Sequence, residues 1–194
     1  SGWLHILHHD GPTWSPRVRR IELSAARIAT PSLDLDKKAA DCAAAVRPKA
    51  LENLAVALGL SVESLRRLGI GWSAKHRAWT FPMRNAAGDV LGIRLRLPGG
   101  KKLSIKGGKE GLFVPGGIDA HGLLLVCEGP TDTAALVDLG FSAVGRPSCT
   151  GGVKLLVELA QRVKPEGVVV VSDGDPPGRR GAETLAAALV TYTA

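Results

Sequence analysis

Residues 122–175 read GLLLVCEGPTDTAALVDLGFSAVGRPSCTGGVKLLVELAQRVKPEGVVVVSDGD. Apolar runs of strand length, 123–127 and 168–171, alternate here with segments of helical period such as 153–163. Strands that are apolar along their whole length are buried on both faces, as in a parallel sheet with helices on either side. We therefore predict an α/β domain with a parallel sheet over residues 120–194.

Residues 70–119 precede this domain and change to a period of two, which predicts antiparallel strands. In the segment VLGIRLRL (90–97), one face of the predicted strand carries Leu91, Ile93, Leu95 and Leu97, and the other carries Arg94 and Arg96. The turn residues at 98–100 then lead into a hairpin partner, KKLSIK. Further short strands are predicted at residues 78–83 and 111–115. These features predict a basic α+β subdomain.

Residues 1–69 form an N-terminal region that is predicted to be helical from about residue 34. Pro48 suits the first turn of a helix, and Gly59 suits a C-terminal cap. Residues 1–33 show no sustained period of helix or strand. Three histidines in this stretch share the spacing of one helical face, which is typical of a surface cluster and also of a metal site: His5, His8 and His9.

The composition narrows the class of protein. The chain has 194 residues, of which 45% are hydrophobic and 22% charged, a balance typical of a globular protein. No apolar run approaches the roughly 20 residues of a membrane span, so no membrane partner is expected.

Cys42, Cys127 and Cys149 have no disulfide or zinc spacing, which favours a reducing cytoplasm. The formal net charge of +7 permits a nucleic-acid or nucleotide partner. Because the chain begins at Ser1, we expect it to be part of a longer protein.

Carboxylates follow two of the buried strands. Glu128 ends the first apolar run and Asp173 follows the last, so both are expected at the carboxyl edge of the sheet, where open α/β sheets bind ligands. Asp175 and Asp132 are spaced so that they can face the same point. Oxygen ligands of this kind favour Mg²⁺ or Mn²⁺ over zinc. The alternative for Asp175 is structural, because an aspartate before Pro-Pro commonly caps a helix.

A second group of candidate residues is basic. It lies in or beside the predicted hairpin and comprises Arg84, Arg94, Arg96, Lys101, Lys102 and Lys106. Adjacent like charges on paired strands cost stability unless an anion lies over them, so a nucleotide or a nucleic acid is a candidate ligand. The alternative is a solvated edge that lysines protect from aggregation. Residues 145–154, GRPSCTGGVK, similarly read either as an anion-binding loop before a helix or as a plain loop.

The sequence resembles a known family at these residues. The motif CEGPTD (127–132), followed by VVVVSDGDPPGRRGAE (168–183), resembles the Toprim domain shared by DNA primases, topoisomerases and related nucleases. Residues 79–115 resemble the basic subdomain that precedes Toprim in bacterial and phage primases. The resemblance implies a Toprim, Rossmann-like parallel sheet after a basic α+β subdomain and a small helical region.

The resemblance also implies roles for individual residues. Glu128, Asp173 and Asp175 match the catalytic acids of the family, and with Asp132 they match its ligands for Mg²⁺ or Mn²⁺. By their place in the hairpin, Lys102 and Lys106 are expected on nucleotide phosphates, and Arg94 and Arg96 on the template or nascent duplex. A further acid expected beyond the last helix would fall after Ala194.

The implied activity is metal-dependent synthesis of short RNA primers from nucleoside triphosphates on single-stranded DNA. A replicative helicase or helicase domain is an expected partner, in a phage or plasmid replication system. Two alternatives stay open: a Toprim nuclease, and a catalytically silent nucleic-acid-binding module of a replication or mobile-element protein. A topoisomerase is disfavoured because the only tyrosine is Tyr192, in the predicted last helix.

Overall fold

The structure is a computed structural model that describes residues 3–6, 34–118 and 122–193, with side chains in 34–118 and 122–190. The predicted histidine cluster and the side chain of Tyr192 lie outside these described side chains. The helices are α1 Leu35–Ala44, α2 Pro48–Leu58, α3 Val62–Arg67, α4 Gly129–Asp138, α5 Val153–Val163 and α6 Pro176–Thr193. The strands are β1 Trp3–Ile6, β2 Gly71–Ser73, β3 Ala78–Arg84, β4 Val90–Arg96, β5 Lys102–Ser104, β6 Leu123–Glu128, β7 Ser142–Arg146 and β8 Gly167–Ser172.

The first sheet has the strand order β1-β8-β6-β7, and β8, β6 and β7 run parallel. Alternate residues of β6 face opposite helices: Leu124 packs in the cluster that includes α5 and α6, whereas Leu125 packs with Val137 of α4. Helices therefore cover both faces, which confirms the predicted α/β class. The sequence did not indicate β1, which pairs antiparallel with β8 and places Trp3 opposite Ser172.

The second sheet is antiparallel, in the order β2-β3-β4-β5. Ile93 and Leu95 of β4 are buried in a cluster with Ala39 of α1. Arg94 and Arg96 lie on the opposite face, as predicted, because successive side chains of a strand point to opposite faces. Each arginine pairs across the sheet with a residue of β3 and a residue of β5. One face of this sheet is thus closed by a helix, and the other carries the arginines.

Residues 111–115 were predicted to form a short strand and instead form two isolated bridges. Leu112 bridges to Arg84 of the second sheet, and Phe113 bridges to Gly145 of the first. Both bridging side chains are almost fully buried. The segment cannot extend along either sheet because its consecutive residues serve different sheets. It ties the two sheets together.

The helical unit forms from α1, α2 and α3, close to the predicted boundaries. Asp34 caps α1 by accepting a hydrogen bond from Lys37 N at 2.9 Å, and Ser61 caps α3 in the same way through Ser64 N at 3.0 Å. Pro48 begins α2, and Gly59 ends it in the left-handed conformation with φ 67°. Leu65 of α3 is fully buried in a cluster shared with the second sheet.

The helical unit is joined to the first sheet's layer by Asp138, the last residue of α4. Its carboxylate accepts hydrogen bonds from Ser61 N at 2.8 Å and from Ser61 Oγ at 2.5 Å. Partial desolvation opposes ionisation, but the hydrogen bonds from Ser61 and Ser64 outweigh it and hold the pKa of Asp138 below its ordinary value of 3.8. The carboxylate form therefore stabilises this contact.

Asp138→Asn is expected to lower the free energy of unfolding by about 1 kcal/mol near neutral pH, because it removes a charge-assisted hydrogen bond at a helix start. Since the folded pKa is the lower one, this stabilisation is present above the unfolded pKa and is lost as the pH falls through the folded pKa. Urea unfolding of both proteins should differ at about pH 7, and the difference should shrink as the pH falls below about 4, the unfolded pKa. Asp41→Asn, at an exposed position of α1, is the control. A difference that persists unchanged in acid would contradict the assignment.

Candidate active site

The predicted acids lie at the carboxyl ends of neighbouring strands. Glu128 is the last residue of β6 and the residue before α4, where its side chain makes no capping hydrogen bond. Asp132 lies one turn further, in the first turn of α4. Asp173 directly follows β8, the strand beside β6. The parallel sheet therefore brings the three side chains to one edge.

The acids perturb one another electrostatically. Desolvation by burial, and then the charge of Asp173, raise the pKa of Glu128, and Asp175 and Asp132 add to that effect. Desolvation followed by the charge of Asp173 also raises the pKa of Asp132, while Lys102 lowers it. The four predicted acids thus lie within one another's field, and a cation among them would relieve the repulsion.

Asp175 serves the structure as well as this cluster. Its Oδ1 accepts a hydrogen bond from Gly178 N at 2.7 Å, and its backbone oxygen accepts one from Arg179 N at 3.1 Å. It therefore caps the start of α6, as the structural interpretation of the Asp-Pro-Pro sequence predicted. Its negative charge nevertheless acts on Glu128. The two interpretations of this residue are compatible.

The donor set of the cluster consists of carboxylate oxygens, the ligands that Mg²⁺ and Mn²⁺ prefer. Among the described side chains, no group of three His, Cys, Asp or Glu residues already has the geometry to hold an ion. The chemistry and the charge of the cluster thus fit a divalent cation, and rotamer adjustment of the carboxylates would be needed to coordinate it.

A basic surface faces the start of α4. The cleft between them is lined by Phe81, Arg94, Arg96, Lys102, Pro130 and Thr131. Lys102 and Arg96 are directly opposed on β5 and β4, and Lys102 acts electrostatically on Asp132 across the cleft. Cations of the second sheet therefore lie beside the acids of the first. The cleft is narrow, about 10 Å³ in volume, so an anion would bind over its mouth, beside Arg96 and Lys102.

Arg94 is less available than the sequence suggested. Its Nη2 donates to Pro147 O at 3.4 Å and lies 3.9 Å from Met83 Sδ, while its Nε is buried without a partner. Pro147 belongs to the loop that follows β7. Arg94 thus connects the second sheet to the first, in addition to lining the cleft.

The remaining predicted cations, Arg84, Lys101 and Lys106, do not line this cleft. After a register shift in β3, Arg84 pairs with Val90 on the face covered by α1, and its Nη1 donates to Gly88 O at 2.8 Å. Lys101 lies in the turn before β5, and Lys106 lies in the turn after it, both exposed to solvent. For Lys101 and Lys106, contact with nucleotide phosphates or nucleic acid stays a prediction.

Sequence reasoning missed Arg146, the last residue of β7. Only 2% of its surface is exposed, and it lies opposite Glu128 in the register of β6 and β7. Burial lowers the pKa of Arg146, and the charge of Glu128 opposes that shift. In return, the guanidinium counteracts the raised pKa of Glu128. The sequence did contain a signal for this residue, an arginine that directly follows SAVG in a predicted buried strand. An arginine is rarely buried unless it is paired, so this position indicated a partner of opposite charge.

This arrangement was compared with known proteins. No family model matches the chain, and no curated protein matches it either. Solved structures do match. The DnaG catalytic core superposes with a TM-score of 0.60 and 20% identity, over 78% of this chain and 64% of that one. The DnaG primase catalytic domain bound to ssDNA superposes with a TM-score of 0.58 and 21% identity, over 77% of this chain and 62% of that one.

The primase fragment of the bacteriophage T7 primase-helicase protein gives a TM-score of 0.52 and 18% identity, over 69% of this chain and 59% of that one. This chain has the fold of a DNA primase catalytic core. The resemblance inferred from the Toprim motifs is therefore confirmed at the level of the fold. The chain spans less than two thirds of the length of each of these three primase structures.

Two further properties of the described residues concern membrane-spanning helices and the accessibility of the cysteines. No helix in the described ranges is long and apolar enough to cross a membrane. Cys127, beside Glu128, is buried, and desolvation raises the pKa of its thiol to about 12. Cys42 is also buried, whereas Cys149, in the loop after β7, is partly exposed. The three thiols thus differ in access.

The folded protein is expected to react once with a thiol reagent at neutral pH, at Cys149, because a buried protonated thiol is a poor nucleophile. Intact-mass analysis before and after denaturation should show one and then three modifications, since the sequence holds three cysteines. Cys149→Ser should leave the native protein unmodified. Rapid native labelling of Cys127 would contradict the packing of β6.

Proposed function

We propose that this chain is a DNA primase catalytic core that joins ribonucleotides on a single-stranded DNA template with the help of Mg²⁺ or Mn²⁺. The observation that carries the proposal is the cleft at the start of α4 that Arg96 and Lys102 line, where Lys102 acts electrostatically on Asp132 of the acid edge. Primer synthesis needs both charges at one place: cations for the phosphates, and acids for the metal. The primase fold supports the same function.

The acids would hold the divalent ion through Glu128, Asp132, Asp173 and the free oxygen of Asp175. When bound, such ions activate the attacking hydroxyl and stabilise the pyrophosphate leaving group in nucleotidyl transfer. Glu128 contributes a carboxylate that no capping bond occupies, so it is available as a ligand. The hydrogen bond from Gly178 fixes the orientation of Asp175.

The cations of the cleft would bind and orient the anionic reactants. Lys102, which acts on Asp132, would contact the triphosphate of the incoming nucleotide. Arg96, opposite Lys102 on the neighbouring strand, can donate two hydrogen bonds to one backbone phosphate of the template or primer. Holding both reactants against one edge of the sheet lowers the entropic cost of the reaction.

The proposed partners are nucleoside triphosphates, single-stranded DNA and a replicative helicase or helicase domain. One similar structure is described as bound to ssDNA, and another comes from a primase-helicase protein. The positive net charge of +7 is compatible with such a polyanionic template. The reducing cytoplasm is the proposed compartment because none of the three cysteines forms a disulfide.

The test is a single reaction that reports both synthesis and cleavage. The chain is incubated with Mg²⁺ or Mn²⁺, nucleoside triphosphates labelled in the base, and an unprimed single-stranded DNA that carries a second label at its 5′ end. A primase yields new short labelled RNA and leaves the DNA intact. Shortened DNA without labelled RNA would instead identify a nuclease, and binding with neither product would leave a binding module.

Arg96→Gln is expected to weaken single-stranded DNA binding. It should also reduce the slope of log affinity against log salt by about 0.7, because binding through one phosphate contact fewer releases fewer counterions from the DNA. Fluorescence anisotropy over a salt series measures both quantities. Arg47→Gln, which removes an exposed arginine before α2, should leave the slope unchanged. Equal slopes for the Arg96 variant and the unaltered protein would remove Arg96 from the binding surface.

A further inference from the structure

Arg146 is a buried cation with one guanidinium nitrogen left without a partner. Its Nε donates to Gly151 O at 3.0 Å and its Nη1 to Gly181 O at 3.4 Å, whereas its Nη2 is buried without a partner. The two carbonyls belong to the loop after β7 and to α6, so they fix the guanidinium from two sides. Burying a charged group is costly unless an opposite charge repays the lost hydration.

Glu128 is the carboxylate whose charge opposes the effect of burial on Arg146, without a hydrogen bond to Nη2. The two residues end adjacent parallel strands and are aligned in register, and neighbouring strands lie about 4.8 Å apart. Nε and Nη1 each donate to one of the carbonyls, which leaves Nη2 as the nitrogen without a partner. Asp173 lies on the other side of Glu128, because β6 is between β8 and β7. Glu128 is therefore flanked by a fixed cation and by another acid.

We propose that Arg146 is a built-in counter-ion of the acid cluster, a positioning residue that limits the charge the cluster offers to metal. The cluster has four carboxylates, and the cations that act on them electrostatically are Arg146, on Glu128, and Lys102, on Asp132, which leaves a net charge of minus two. One divalent ion balances that charge. A second ion is then expected to bind strongly only when nucleotide phosphates bring further negative charge. The inference rests on the proposed function in one respect, that these acids hold a cation.

The test is a titration of the whole chain with Mn²⁺ in the absence of nucleotide. The electron paramagnetic resonance signal of free Mn²⁺ reports how much of the ion is bound. Arg146→Met removes the charge and is expected to tighten binding about five- to tenfold, as the Coulomb energy between a unit charge and a divalent ion at roughly 7 Å in water predicts. Arg146→Lys keeps the charge and should bind as the unaltered protein does. Arg162→Met removes an equal charge from the last turn of α5 and should also have no effect.

The direction of the change separates this role from a structural one, because damage to the loop or to α6 cannot tighten metal binding. Unchanged or weaker binding by Arg146→Met, or equal shifts in the Met and Lys variants, would overturn the proposal. Thermal unfolding checks each variant. If the Met variant does not fold, Arg146→Gln replaces it, since an amide can still donate to Gly151 O.

Failure of this inference can be told apart from failure of the proposed function. Primer synthesis by the unaltered chain, combined with equal shifts in the Met and Lys variants, would overturn only the role of Arg146. Single-site Mn²⁺ binding that Arg146→Met tightens, without primer synthesis, would support the role of Arg146 and overturn the primase assignment. Absence of any Mn²⁺ binding would overturn both.

Discussion

Glu128→Gln is expected to reduce nucleotide incorporation at least about a hundredfold while leaving the fold intact. Metal-ion stabilisation of the reacting charges contributes several kcal/mol, and each 1.36 kcal/mol changes the rate about tenfold. Glu128 ends β6 with an uncapped carboxylate in the field of three other acids, so its loss removes a ligand at the centre of the cluster. The measurement is the initial rate of labelled RNA synthesis at saturating Mg²⁺.

The matched control is Glu158→Gln, which neutralises a glutamate of α5 that pairs only loosely with Lys154 at 3.9 Å. This variant should retain full activity. Because glutamine is nearly isosteric with glutamate, the melting temperature of the Glu128 variant should stay close to that of the unaltered protein. Retention of more than about a tenth of the incorporation rate by the Glu128 variant would remove that residue from the reaction.

Gly145→Ala is expected to destabilise the fold by about 3 kcal/mol, because β7 and the start of α4 touch at this glycine. An added methyl group would collide with Thr133 Oγ1 and would lie 2.7 Å from the backbone oxygen of Gly129. The same turn is held by the hydrogen bond from Thr133 Oγ1 to Gly129 O at 2.7 Å, so neither group can move aside cheaply. At this chain length, the loss corresponds to a fall of about 6 to 12 °C in the melting temperature.

The control for this substitution is Gly116→Ala. A methyl group at Gly116 would meet only Arg67 O, at 3.7 Å, which is an ordinary contact distance. Differential scanning calorimetry of the two variants should therefore show a large shift for Gly145 and a change of about 1 °C or less for Gly116. Equal melting temperatures would mean that α4 does not approach β7 as closely as the structure shows.

The alternation of apolar strands and helices predicted the three parallel strands of the first sheet correctly, because the buried strands β6 and β8 have no polar face to obscure the pattern. The same regularity placed Glu128 and Asp173 at one edge. Strand ends of a parallel sheet are fixed by topology, so a carboxylate directly after such a strand can be located without knowing the packing. The acid cluster was therefore predictable from spacing alone.

Other features depend on contacts between distant segments, which spacing does not reveal. Strand β1 is only four residues long, and its partner β8 is far away in the sequence. Residues 111–115 have strand character, but Leu112 and Phe113 bridge to different sheets. Arg94 was assigned to nucleic acid on charge, although its contact with Pro147 arises only when the two sheets come together. Arg146 was missed for the same reason, since its role depends on Glu128, which becomes its neighbour only when β6 and β7 pair.

The most direct test of the central claim, that the acid edge and the basic cleft form one nucleotidyl-transfer site, is pyrophosphate release. The chain is mixed with nucleoside triphosphates, Mg²⁺ or Mn²⁺ and unprimed single-stranded DNA, and pyrophosphate is measured against the RNA bonds formed. We expect one pyrophosphate for each bond, dependence on both metal and DNA, and loss of the signal in Asp173→Asn. A chain that binds the metal and the DNA yet releases no pyrophosphate would contradict the claim.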